Sequence, residues 1–148
     1  MSGWSGTCGL LLGSSIAAIV ACGGAPQKAD WQQHLQRSNE ITALWTQIRD
    51  WRREAGMELD PTPQNMFQSR DKTVREVAKG CPDGHQVPKT CSDVCSLADA
   101  ICDNAEAICS IADELGKSDD FAQQKCTSAK ASCREAKQRC CECSGDGT

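Results

Sequence analysis

The chain has 148 residues and a formal charge of −4, with twelve Cys, four Trp, two Phe and no Tyr. So few large apolar side chains cannot fill an ordinary core, and another constraint must supplement hydrophobic burial. The acidic balance, with no block of clustered Lys and Arg, argues against nucleic acid as a partner.

All Lys, Arg, Asp and Glu lie after residue 27, and Gly9 to Ala21 (GLLLGSSIAAIVA) is an apolar run of 13 residues. A bilayer span needs roughly 20 apolar residues, whereas a run of this length suits the apolar region of a signal peptide. It ends in Ile19-Val20-Ala21-Cys22. This tetrad resembles the lipobox of bacterial lipoproteins: a branched aliphatic residue, a tolerant position, a small residue and the cysteine to be lipidated. The segment before the apolar run, MSGWSGTCG, departs from that family in having no Lys or Arg. The resemblance implies cleavage after Ala21, removal of Cys8 with the leader, and a diacylglyceryl thioether on Cys22. Residues 1–21 are then the signal peptide and 22–29 a lipidated tether. The partner so implied is the membrane, reached through the acyl chains on Cys22. Gly23 is not the Asp that signals inner-membrane retention in the common sorting rule, so the outer membrane is favoured over the inner.

Residues 30–80 read as a helical region. Asp30 and Gln33 have the form of a capping box, and Ile41, Leu44, Trp45, Ile48 and Trp51 recur at spacings of three and four. That periodicity predicts one amphipathic helix over 31–55, closed near Gly56. Trp31, Trp45 and Trp51 are expected to pack against the cysteine-rich part, and His34 to be a solvated helix residue. Residues 57–67, with Pro61 and Pro63, should break the helix. A shorter helix capped by Ser69 is expected to follow, with Val74, Val77 and Ala78 on one face and Gly80 at its end.

Residues 81–143 carry the main signal. Cys95, Cys102 and Cys109 are seven apart, and so are Cys126, Cys133 and Cys140. Seven residues make two helical turns, so each trio forms one stripe. Alanines occupy the interleaved positions: Ala98, Ala105 and Ala112, then Ala122, Ala129 and Ala136. ELGKSDD lies between the two segments and offers Gly116 to end the first helix at its C′ position. Ser118 can cap the second, with Asp119 and Asp120 at its positive end. A loop of two or three residues makes the helices antiparallel neighbours.

In an antiparallel hairpin, facing residues have numbers with a constant sum. The numbers of Cys95 and Cys140, of Cys102 and Cys133, and of Cys109 and Cys126 each add to 235. Helix axes about 10 Å apart place facing Cα atoms roughly 5.4 Å from each other, inside the disulfide window. These three pairs are the expected rungs of a ladder. Cys91–Cys143 extends it, and Cys81–Cys141 would tie the preceding turn to the hairpin. The fold class expected is therefore all-α: a disulfide-laddered antiparallel hairpin packed with one long and one short amphipathic helix. Residues 144–148 should be a disordered tail.

Disulfides require an oxidising compartment, which the amino-terminal signal supplies on separate grounds. The hairpin is similar in architecture to paired CX9C proteins, although its spacing is CX6C. Lipobox, Trp-bearing helix and cysteine–alanine hairpin together resemble cysteine-rich helical bacterial lipoproteins, a resemblance that implies no activity. Other uses of the same cysteines are soft-metal binding through thiolates such as Cys91 and Cys95, as in Cu(I)-storage bundles. A zinc site from Cys81, His85, Cys141 and Cys143, or exchange chemistry at Cys140, Cys141 and Cys143, would also draw on them. No hydrolase, kinase or nucleotide motif occurs. The reading is thus a non-enzymatic envelope protein of structural or binding role, with no cofactor, catalytic residue or bound metal. Its alternative is an exported Cu(I) or soft-metal binder. Asp99, Asp103, Glu106, Lys130, Arg134 and Lys137 are expected to form solvated helix surface.

Overall fold

The computed structural model describes residues 30–144. The expected leader, Cys22, the expected tether up to residue 29 and the residues beyond 144 lie outside the described residues. Five α-helices follow in order: α1 (Asp30–Glu54), α2 (Pro63–Ser69), α3 (Val74–Val77), α4 (Ser92–Leu115) and α5 (Asp120–Cys141). A short 3-10 turn, Lys89–Cys91, leads into α4.

α1 runs without Gly or Pro from Asp30, which is itself helical, and ends at Gly56. There the Gly56 N–H donates to the Arg53 carbonyl and the Met57 N–H to the Arg52 carbonyl. These are the two bonds of a Schellman motif, and Gly56 takes the positive φ (70°) that it needs. Ile41, Trp45 and Ile48 are buried, while Leu44 and Trp51 pack partly against the same core. The expected stripe is present, but it continues into Arg52, which is only 1 % exposed.

The segment after α1 differs from expectation. Residues 57–67 break α1, yet they also contain most of α2. Thr62 caps α2 by accepting from the Asn65 N–H, and Pro63 fits its first turn, where a missing N–H costs nothing. Ser69 is consequently not a cap; it is a buried residue inside α2. α3 is instead capped by Thr73 in a reciprocal box with Glu76: the Glu76 N–H donates to Thr73 Oγ1, and the Thr73 N–H to the Glu76 carboxylate. Val74 and Val77 are buried and Ala78 is partly buried against the core, as the periodicity predicts.

α4 and α5 form the antiparallel hairpin. Gly116 (φ 91°) ends α4 as its C-cap. Asp119, not Ser118, caps α5 by accepting from the Ala122 N–H. The connection is the four residues 116–119, longer than the two or three expected, because Ser118 lies in the turn and helix begins only at Asp120. Gln123 reaches back from α5 and donates to the Ala112 and Gly116 carbonyls, satisfying the open end of α4.

Disulfides join Cys95–Cys140, Cys102–Cys133 and Cys109–Cys126, with Cα separations of 4.8, 4.6 and 4.6 Å. Cys91–Cys143 (6.1 Å) and Cys81–Cys141 (5.3 Å) close the far end. The inner Cα atoms approach more closely than the 5.4 Å expected because alanine fills the interleaved positions. All six of those alanines are at most 2 % exposed.

α1 lies antiparallel to α4 and parallel to α5. Arg37 pairs with Glu114, Asn104 donates to the Leu44 carbonyl and to Gln47, and Arg52 pairs with Glu135. α2 and α3 pack on α5 from a further side. α5 is therefore enclosed, which accounts for its continuous run of buried residues from Ser128 to Cys133. This run includes Lys130, expected in solvent but buried. Its ammonium donates to the carbonyls of Arg70 (2.7 Å) and Lys72 (2.9 Å), holding the α2–α3 connection against α5. Lys137 is also partly covered and pairs with Asp99 across the hairpin, and Arg134 is partly buried. Asp99, Asp103 and Glu106 are exposed as expected.

Two outcomes follow from this packing. Replacing Cys102 and Cys133 together with Ala should lower stability by about 2–3 kcal/mol while leaving the helical content unchanged. Guanidinium unfolding followed by circular dichroism measures both. Gly80 touches α5 so closely that an added Cβ would collide with Lys137 Cβ and sit 2.8 Å from the Lys137 carbonyl carbon. Gly80→Ala should therefore cost about 1–3 kcal/mol in the same assay, because both contacting groups are backbone-fixed.

Candidate functional site

The ten cysteines of residues 81–143 are all consumed in disulfides. Cys81 and Cys141 are bonded to each other, and Cys143 to Cys91, so the cysteines of the zinc reading hold no thiolate. His85 is exposed in a turn around Gly84 (φ 80°), donating its N–H to the Pro82 carbonyl. Cys91 and Cys95 belong to different rungs, and so do Cys140, Cys141 and Cys143. Among the described residues no group of three or more His, Cys, Asp or Glu converges as metal ligands would. Cys22, the expected lipidation site, lies outside the described residues.

Two side-chain clusters emerge that the sequence reading passed over. The first is internal and centres on Glu135 of α5. Its Oε1 accepts from the Thr62 N–H (2.9 Å) and from Asn65 Nδ2 (2.7 Å), while Oε2 accepts from Arg52 Nη2 (2.6 Å). Arg52 Nε donates in turn to the Glu58 carbonyl at 2.7 Å. One carboxylate thus gathers the end of α1, the connection after it and the start of α2 onto α5. Burial pushes the Glu135 carboxyl up, but the bonds from Thr62, Arg52 and Asn65 and the Arg52 charge outweigh it. The net result is a pKa below the usual 4.5. This cluster stabilises the bundle; a groove of about 280 Å³ lies beside it, too small to suit most ligands.

The second cluster lies at the opposite end, where α4 turns into α5 and α1 begins. His34 Nε2 lies 2.6 Å from Asp119 Oδ2, and Arg37 bridges Glu40 (3.0 Å) and Glu114 (2.6 Å). His34 is an exposed helix residue, as expected, and it also links the start of α1 to the cap of α5. The Asp119 carboxyl is held below its usual range mainly by the Ala122 N–H; partial burial opposes this and His34 reinforces it. An open groove of about 790 Å³ is lined by Trp31, His34, Arg37, Glu114 and Leu115. Trp45 is buried and Trp51 half-buried against the hairpin, as expected, whereas Trp31 stands in solvent at 64 % exposure. The Lys125 ammonium lies over the Trp45 ring at 5.0 Å and near the Phe121 ring at 5.9 Å. Trp45 belongs to the stripe of Ile41, Leu44, Ile48 and Trp51, whereas Trp31 lies outside it. None of the described helices is long and apolar enough to cross a membrane.

Glu135 provides a pH test. Its lowered folded-state pKa means that its stabilisation is fully present above the unfolded value of 4.5 and is lost as pH falls through the folded value. Glu135→Gln should destabilise by about 3 kcal/mol at neutral pH, since Arg52 stays buried without its counter-charge. The variant should also lose less stability than the parent on acidification from about pH 6 to about pH 3. Denaturant melts across that range read both effects.

No family model matches the chain, and no curated protein or solved structure is significantly similar to it.

Proposed function

We propose that the chain is an envelope lipoprotein, anchored through acyl chains on Cys22, whose stapled helical bundle has a structural or binding role without catalysis. The observation that carries this reading is the disulfide pairing of every cysteine in residues 81–143. Such a set persists only in an oxidising compartment, and the amino-terminal sequence, with its lipobox-like Ile19-Val20-Ala21-Cys22, is an export signal. The two features are independent and agree on the compartment. Gly23 favours the outer membrane. Each buried CH₂ of an acyl chain contributes about 0.8 kcal/mol, so two or three chains hold the protein firmly.

Intact-mass measurement of protein purified from the envelope tests the reading. The expected mass lacks residues 1–21, carries diacylglycerol on Cys22 and rises by ten hydrogens on reduction, two for each of the five bonds. An unacylated Cys22 overturns the anchor. Ten free thiols with bound Cu(I) overturn the staple and favour the soft-metal alternative.

A further inference from the structure

Three large apolar side chains stand in solvent at the end of the bundle where α1 begins: Trp31 (64 % exposed), Leu35 (52 %) and Phe121 (40 %). Trp31 and Leu35 are one turn apart on α1 and share a face. His34, between them, contacts Asp119, and Phe121 follows two residues later. A single contact therefore brings all three to one end of the molecule. The other large exposed apolar side chain among the described residues, Phe67, lies on α2 beside the Arg70 guanidinium.

The covalent chain indicates what this end meets. Seven residues, 23–29, separate Cys22 from Asp30, a span of at most about 28 Å when fully extended. α1 carries the opposite end of the bundle roughly 37 Å farther away, at 1.5 Å for each of its 25 residues. A surface holding Cys22 is thus within easy reach of Trp31, Leu35 and Phe121, and the outer disulfides lie at the opposite end of the bundle. The chemistry suits a lipid interface, because Trp favours the headgroup level, where its ring is half apolar and its N–H stays wet. Arg37, Lys117 and Lys125 are interspersed with Asp30, Glu114, Asp119 and Asp120. With no excess of positive charge, the attraction is apolar, not electrostatic.

We infer that Trp31, Leu35 and Phe121 form a foot seated at the boundary between phospholipid headgroups and acyl chains, in the bilayer that holds Cys22. The inference rests on the lipid anchor proposed above. Anchoring supplies a high effective concentration, so three side chains suffice to orient a bundle that they could not recruit alone. The foot stands the bundle with Cys81–Cys141 and Cys91–Cys143 outermost.

The test uses the mature, acylated protein in phosphatidylcholine vesicles containing lipids brominated near the headgroup end of the acyl chain. Bromolipid should quench the tryptophan emission, and Trp31→Phe should lose most of that quenching, since Trp45 is buried and Trp51 lies half-buried near the far end of α1. Leu35→Ser combined with Phe121→Ser should reduce quenching of Trp31 while vesicle flotation and circular dichroism stay unchanged. Added phosphatidylglycerol should leave the wild-type quenching unaltered. Acylated protein that floats with vesicles but shows no quenching overturns the foot and leaves the anchor standing. Quenching that survives in Trp31→Phe, or that grows with protein density, also overturns it, the latter by indicating contact between copies. A protein whose mass shows no acyl chain overturns both readings together.

Discussion

The covalent pairing of α4 with α5 at matched heights is the constraint on which the remaining contacts depend. Two helices with alanine and cysteine along their shared face have little apolar area to bury, and dispersion between such small side chains is modest. Sulfur bridges compensate by removing most of the freedom of the unfolded chain. The same small side chains allow the approach that the bridges need, with inner Cα separations of 4.6–4.8 Å. Composition and geometry are thus two aspects of one solution.

Once the hairpin is fixed, α5 acts as the post around which the rest is arranged. α1 covers one side with Ile41, Trp45 and Ile48, while α2 and α3 approach from another. The remaining adhesion is largely polar. Glu135 collects donors from three segments, and Lys130 supplies its ammonium to two carbonyls at the end of α2. Buried charges of this kind add little net stability over apolar residues, but they penalise any misplacement of the segments they join. A chain with short apolar stretches gains a defined arrangement of α2 and α3 in this way.

The bundle has two chemically distinct ends. One combines the first turn of α1, the α4–α5 turn and three exposed apolar side chains; the other is closed by Cys81–Cys141 and Cys91–Cys143. The chain enters α1 at the first end, and stapling is concentrated towards the second. Cross-linking at the far end limits local opening there, because cross-linked helix ends cannot fray independently.

Much of this architecture could be read from the residues alone. Seven-residue cysteine spacing and a constant sum of residue numbers specify an antiparallel hairpin and its register, since a helix returns to the same face every two turns. The α1 stripe was legible for the same reason. Local chemistry was less decisive where several residues compete for one role. Ser69, Thr73, Ser118 and Asp119 are all competent caps, and the choice of Thr73 and Asp119 depends on where the neighbouring helices need the chain to turn. Lys130 reads as a surface charge because charged residues usually are, and no spacing marks Arg52 or Glu135 for burial. Their burial follows from segments distant in sequence closing over α5, a three-dimensional coincidence with no periodic signature. The sequence by itself determined the helices and the pairing of the two cysteine stripes, both of which depend on short-range spacing. Only tertiary packing decided which charges went inside and which tryptophan stayed out, because burial is set by what lies opposite, not by what lies adjacent.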